Sequence, residues 1–260
     1  MDNRIKVSFV IPNWNQGQLL KELVESIDAS VGELDKEIIV VDNASVDGSE
    51  GLVVGAHPHV FWISNKVNEG YAKATNKGAW LSTGDFIFLL NNDVVLQPDT
   101  VIRLLECLDT HPQAGAVAPV LYYPEGGLQI TCRNFPSPMA LVLEKMQIAR
   151  IGPFRKWKLT HKEHLCCNTV LQPMASALLI RRQCWQEVGA LDERFPIFFN
   201  DVDWCYRLYK KTKHVIMLCP QATAVHHEGA SIKRLGYKKR IELLRGLSTF
   251  YLKHYLKLMQ

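Results

Sequence analysis

Asp201 and Asp203 stand two residues apart in FFNDVDWCYR (198–207), behind an aromatic pair and at the head of a helical pattern. Carboxylates so placed can cap the helix, hold a cation, or take a proton from a substrate. Asp42 closes the apolar run of EIIVVD (37–42), where an acid can accept a hydrogen bond from a nucleobase N–H or a ribose hydroxyl, or simply cap a turn. LLNNDVV sets Asn91, Asn92 and Asp93 behind a very apolar run. One carboxylate with amide oxygens suits a hard cation such as Mg²⁺ or Mn²⁺ shared with a diphosphate, and an Asn-Asp turn is the plain alternative. AVHHEGAS offers His226 or His227 before a glycine. Mn²⁺ accepts imidazole, so a histidine meeting Asp93 is chemically sensible. HKEHLCC (161–167) lacks the paired dyads of a zinc site and reads as a loop with incidental thiols.

These residues need strands and helices to bring them together. Apolar runs at 7–11, 37–42, 59–64, 85–90 and 114–119 read as buried strands, and the patterns at 17–30, 70–84 and 98–111 as helices, the last with Pro98 in its first turn. That rhythm predicts an α/β fold, a mostly parallel central sheet with helices on both faces. In such sheets ligands bind beyond the carboxyl ends of the strands, where the acids above are found. Residues 121–172 keep no period and read as a long functional insertion. MASALLIRRQCWQEVG (174–189) reads as a strand running into a short helix, followed by strands at 214–219 and 223–231.

Net charge is +4, but the stretch from Lys233 onward carries +7 and the remainder −3. A basic tail on a mildly acidic body favours an anionic surface. Without a nucleic-acid reading motif, a membrane face is preferred and no nucleic-acid partner is expected. In residues 238–259, Ile241, Leu244, Leu247, Tyr251, Tyr255 and Leu258 recur at spacings of three or four, one apolar helical stripe, with Lys239, Arg240, Lys253 and Lys257 on the other sides. Such a helix either packs on the body or lies in a membrane interface. No run approaches the ~18–20 apolar residues of a bilayer span, and the N-terminal run is too short for a signal peptide. Seven irregularly spaced cysteines point to reduced thiols. The expected location is cytoplasmic, at the inner face of the membrane.

Taken in order, VIPNWNQ, VVDNASVDGS, NEGYAKATNKG, GDFIFLLNNDV, ASALLIRRQCWQEVGALDERF, FFNDVDWCYRL and HHEGAS resemble the family-2 inverting glycosyltransferases, and most of all their bacterial rhamnosyltransferase-like branch. The similarity covers roughly residues 5–120 and 170–235. It implies a single catalytic domain of GT-A fold over 1–235, with a nucleotide-sugar half (1–120) and an acceptor half (121–235), then a basic amphipathic helix over 236–260. By the same resemblance, Pro12, Asn13, Trp14, Asn15, Asp42, Asn43, Asn68, Gly70, Asn76, Asn91 and Asn92 bind the nucleotide sugar. Asp93 and His226 hold a divalent cation, Mg²⁺ or Mn²⁺, Asp201 is the catalytic base, and Gly229 and Ser231 complete the histidine motif.

The implied reaction moves a sugar, with rhamnose suggested, from a dTDP- or UDP-linked donor to a saccharide or lipid-linked acceptor in surface polysaccharide synthesis. Uracil and thymine offer Asp42 the same N3–H. Asp203 is expected to cap the helix or orient Arg207. Where the family writes Glu-Asp, this chain has Asn200-Asp201, which removes a charge that would help raise the pKa of the base. A sugar-phosphate nucleotidyltransferase would use the same crevice, but PNWNQGQ lacks the basic residues of its loop. A sugar-nucleotide-binding protein without turnover is the third reading.

Overall fold

The computed structural model describes residues 5–136, 159–229, 236, 238–256 and 258. The strand signals are met: β1 (Ile5–Asn13), β2 (Leu34–Asp42), β3 (Phe61–Ser64), β4 (Phe86–Leu90) and β6 (Ala114–Tyr122) alternate with α1 (Gly17–Asp28), α2 (Ser49–Val54), α3 (Tyr71–Leu81) and α4 (Thr100–Thr110). The sheet runs β3-β2-β1-β4-β10 (Ala177–Arg181)-β6-β11 (Val215–His226)-β5 (Val94–Leu96), with β8 (Asn168–Val170) on β11. β3, β2, β1 and β4 are parallel, and so are β6 and β11. β10 is wedged antiparallel between β4 and β6, and β5 runs antiparallel along β11.

Strand periodicity sorts the core into two layers. Phe9, Ile11, Phe88, Leu90 and Leu179 pack with Leu20, Leu23, Leu104 and Leu108 of α1 and α4. Val10, Ile87, Leu89, Leu178 and Ile180 face the other way, onto Ala72 and Ala79 of α3, Trp185 of α6 (Arg182–Val188) and Trp204 of α7 (Asn200–Lys211). Both faces are therefore covered, as the unbroken apolar runs require.

Several boundaries depart from the sequence pattern. α3 stops at Leu81, because Ser82 turns to extended backbone well before Gly84. Pro98 lies outside α4, whose N-cap is Asp99. The two strands read at 214–219 and 223–231 are one, β11, interrupted by an irregularity between Cys219 and Thr223 and ending at His226. α2 and β5 are too short for periodicity to reveal. In the stretch read as an aperiodic insertion, β7 (Cys132–Arg133) pairs with β9 (Gln172–Pro173), and α5 (His161–His164) carries a capping box. Positions 137–158, and Ser231 of the histidine motif, lie outside the described residues.

The tail forms a helix from Lys238, α8 (Lys238–His254), but not with the stripe inward. Its buried residues are Gly246, Thr249 and Phe250; of the stripe, Leu247 and Tyr251 are half-buried, whereas Ile241, Leu244, Tyr255 and Leu258 are exposed. Polar contacts set this orientation. Lys253 Nζ donates to Asp203 at 2.6 Å, and His254 Nε2 lies 2.7 Å from the same carboxylate oxygen. Phe250 meets Phe199 and Tyr206, and a Cβ on Gly246 would come within 2.8 Å of the Phe199 ring.

Candidate active site

The carboxyl ends of the parallel strands carry the first part of the site. Asn13 and Asp42 are register partners on β1 and β2, and Asn13 Nδ2 donates to Asp42 Oδ1 at 2.8 Å. Asn92 Nδ2, from the turn after β4, donates to Asn13 Oδ1 at 2.7 Å. The backbone N–H and hydroxyl of Ser45 both reach Asp42. Asn15 receives the Val46 N–H on its side chain and donates its own N–H to Ser45 Oγ. The result is a buried polar floor held in one arrangement, and Pro12 is its last buried apolar step. Trp14 is half-buried beside it. Asn15 and Ala44 adopt left-handed backbone without being glycine, strain that collects at ligand-binding turns.

Asn43 extends the floor, with its side chain linked to Asn65, the Glu69 N–H and Gly70 O. Gly70 has φ +87°, and a Cβ there would meet Pro196 O at 2.9 Å, so the loop before α7 can close onto α3 only over a glycine. Asn68 caps the Gly70 N–H. Asn76 is not gathered with this group through its side chain, which exchanges hydrogen bonds with the Leu191 backbone at 2.8 and 2.9 Å. Asn91 contacts Ser176 on β10's approach.

Asp93 meets His226 because β5 runs antiparallel to β11, with Val94 opposite His226. His226 Nε2 lies 3.3 Å from Asp93 Oδ1, both residues are nearly inaccessible, and neither atom has a hydrogen-bond partner. On the far side of the ring, His226 Nδ1 lies 2.9 Å from Gln129 Oε1, while Gln129 Nε2 donates to His226 O. Donation from Nδ1–H to that carbonyl leaves the Nε2 lone pair facing Asp93. An unpaired lone pair beside an unpaired carboxylate oxygen fits a divalent cation. Neighbouring ligands of an octahedral ion with bonds of about 2.1 Å stand ~3.0 Å apart, close to this separation. Gln129 fixes the orientation of the ring, as a metal-bound histidine would need, and nothing in the aperiodic sequence around it signalled this. His227 instead donates its N–H to Asp93 O.

Asp201 sits in the first turn of α7. Its Oδ1 accepts from the Val202 N–H at 2.8 Å, and its Oδ2 faces Gln172 Nε2 at 3.3 Å and the Ala175 N–H at 3.4 Å. Burial in surrounding protein raises its pKa above the usual carboxylate value, against the hydrogen bonds and the charge of Arg133. The residue as a whole is half-buried rather than sealed. Phe199, its N-cap, is held left-handed at φ +70°. Asn200 secures the loop through the carbonyls of Phe195 and Ile197, and Tyr71 donates its hydroxyl to Ala175 O.

Asp203 has a different set of partners. It is fully buried, paired with Arg207 at 2.8 Å and with Lys253 and His254 of α8. In HKEHLCC, His164 commits both ring nitrogens to backbone: Nε2 accepts from the Thr131 and Cys132 N–H groups, and Nδ1 faces Thr160 O. Cys166 and Cys167 are exposed free thiols. A separate trio, Asp28, His57 and His59, stands at the amino ends of the strands, with each imidazole hydrogen-bonded to Asp28.

The family model of "Glycosyl transferase family 2" matches residues 8–173. The N-acetylglucosaminyl-diphospho-decaprenol L-rhamnosyltransferase of Mycobacterium tuberculosis is 27% identical over 249 residues, covering 86% of this chain and 77% of its own length. The O-antigen biosynthesis protein RfbC of Myxococcus xanthus is 25% identical over 233 residues, 87% of this chain and 18% of its own. Among solved structures, the mannosyltransferase PcManGT of Pyrobaculum calidifontis, in complex with GDP-Man and Mn²⁺, superposes with a TM-score of 0.66 at 17% identity, covering 95% of this chain and 64% of that one. S. aureus TarS (1–349) gives 0.61 at 14% identity over 92% of this chain and 66% of its own. The chain thus spans just under two thirds of these solved chains.

Proposed function

The chain belongs to glycosyl transferase family 2, in its rhamnosyltransferase-like part and with the GT-A type of fold, and from that premise we propose that it is a metal-dependent inverting transferase. It moves a sugar, with rhamnose the leading candidate, from a dTDP- or UDP-linked donor onto a saccharide or lipid-linked saccharide. The observation that carries this reading is the pairing of two orphaned ligand atoms, Asp93 Oδ1 and His226 Nε2, together with a separate carboxylate at Asp201 whose pKa is raised by burial.

In this reading Asp42, Asn13 and Asn92 receive the base and ribose, with the Asp42 carboxylate as acceptor for an N–H or hydroxyl. Asp93 and His226 would hold Mg²⁺ or Mn²⁺, which when bound would supply Lewis-acid stabilisation to the diphosphate leaving group. Asp201 takes the proton from the acceptor hydroxyl as its oxygen attacks the anomeric carbon opposite the leaving group. One carboxylate suffices for inversion, and a raised pKa makes it a stronger base than an exposed Asp. The acceptor reading draws on the Mycobacterium tuberculosis relative, whose name specifies a lipid diphosphate-linked sugar. An acceptor of that kind would place the enzyme at the inner face of the membrane. Among the described residues no helix is long and apolar enough to cross a membrane.

The test is donor turnover across a panel of dTDP- and UDP-sugars, with and without chelator. Metal-dependent release of nucleoside diphosphate, and a product of inverted configuration, are expected. A retained configuration or chelator-insensitive turnover overturns the reading, and formation of a nucleotide sugar from a sugar phosphate would favour a nucleotidyltransferase.

A further inference from the structure

Arg133 is the second residue of β7, and its strand partner is Gln172 of β9. Gln172 in turn reaches Asp201 Oδ2 at 3.3 Å. Backbone pairing therefore sets Arg133 beside the residue that contacts the base, near enough for its charge to act on Asp201. His164 fixes that placement by accepting the N–H groups of Thr131 and Cys132, the two residues before it.

The Arg133 guanidinium is distinctive in what it lacks. Its Nε is buried without a hydrogen-bond partner, and no carboxylate of the described residues forms an ion pair with it. The other described arginines that are not exposed are all engaged. Arg181 donates to Ala114 O and Leu108 O, Arg182 to Gly84 O and Ser82 Oγ, and Arg207 to Asp203 and three carbonyls. A half-buried planar cation with five donors, whose buried Nε has no partner, leaves that donor costly unless a ligand completes it, and its fork matches phosphate oxygens.

Resting on the transferase reading, we infer that Arg133 binds an anionic phosphate or diphosphate group carried by the acceptor, on the acceptor side of Asp201. The donor's diphosphate already has its counter-charge in the cation assigned to Asp93 and His226. Binding there also couples recognition to chemistry. With the site empty, the Arg133 charge lowers the basicity of Asp201. A phosphate seated on Arg133 offsets that charge, so Asp201 becomes a stronger base when the correct acceptor arrives.

Calorimetric titration tests this, using two probes on protein loaded with Mn²⁺ and UDP or dTDP: a decyl diphosphate ester of N-acetylglucosamine and the neutral decyl glycoside of the same sugar. The wild type should bind the diphosphate ester at least tenfold more tightly. Arg133→Gln should lose that preference while keeping its affinity for the neutral glycoside and the nucleotide. Arg133→Lys, which keeps charge but loses the fork, should retain part of it and serves if the glutamine variant does not fold. A wild type without preference, or an Arg133→Gln that keeps it, overturns the inference. The titration is repeated without nucleotide, so failure of nucleotide binding would count against the donor-site reading and leave this comparison standing.

Discussion

His226 Nε2 and Asp93 Oδ1 face each other at 3.3 Å in a buried setting, and neither has another partner. Asp93→Ala and His226→Ala should each weaken Mn²⁺ binding, read by calorimetry or by the paramagnetic resonance of free Mn²⁺. Gln129→Leu should lower affinity about 10–100-fold by releasing the ring, the usual cost of losing such an orienting partner. Cys166→Ala and Cys167→Ala should change nothing. Unchanged affinity in both ligand variants would remove the cation from this place.

Asp201→Asn should preserve nucleotide binding and reduce transfer by on the order of 10²–10⁴. The pH profile gives a second reading. A base must be ionised, and burial raises the pKa of Asp201, so kcat/KM should fall on the acid side at a pH above the usual Asp value of about 3.9. Arg133 lowers that pKa, so Arg133→Gln should move the acid limb to higher pH. Near-parental transfer by Asp201→Asn would place the base elsewhere.

The strands were legible because a sheet buried on both faces demands unbroken apolar runs, and the acids at their ends followed from where such sheets bind ligands. Gln129 and Arg133 escaped for a physical reason. Their positions depend on the bridge between Tyr122 and Leu128 and on the pairing of β7 with β9, contacts between distant residues in a segment with no period of its own. The orientation of α8 escaped because an apolar stripe counts Leu and Ile. The helix is instead turned by a lysine and a histidine that reach an internal carboxylate, and by a glycine small enough to admit the Phe199 ring.

Asp203→Asn should destabilise the protein at neutral pH. It leaves Arg207, Lys253 and His254 around a neutral amide, and breaking a buried ion pair costs about 3–5 kcal/mol. Burial opposes ionisation of Asp203, but His254, Arg207 and Lys253 outweigh it and hold its pKa below the usual value. The stabilisation is therefore complete above the unfolded-state value of about 3.9 and is lost as pH falls through the lower folded-state value. Thermal melts should show the wild-type advantage over Asp203→Asn shrinking across that acid window. A constant difference at every pH would mean that the carboxylate's charge is irrelevant.

The exposed side of α8 decides the membrane question. Lys238, Lys239, Arg240 and Arg245 are exposed around the equally exposed Ile241 and Leu244, a basic and apolar surface suited to an anionic bilayer. Deleting the helix would not be a clean test, because Phe250, Lys253 and His254 are built into the helix that carries Asp201. Substitutions confined to the exposed side avoid this. Each basic residue near such a surface contributes about 1 kcal/mol, so Lys239→Gln with Arg240→Gln should weaken vesicle binding roughly 30-fold at low salt, and less as salt rises. Ile241→Asp with Leu244→Asp should abolish co-sedimentation with phosphatidylglycerol vesicles. Both pairs should leave thermal stability and transfer to a soluble acceptor close to parental. Wild-type protein that fails to sediment with anionic vesicles, or variants that sediment as well as the parent, would leave α8 as a brace for the catalytic helix and nothing more.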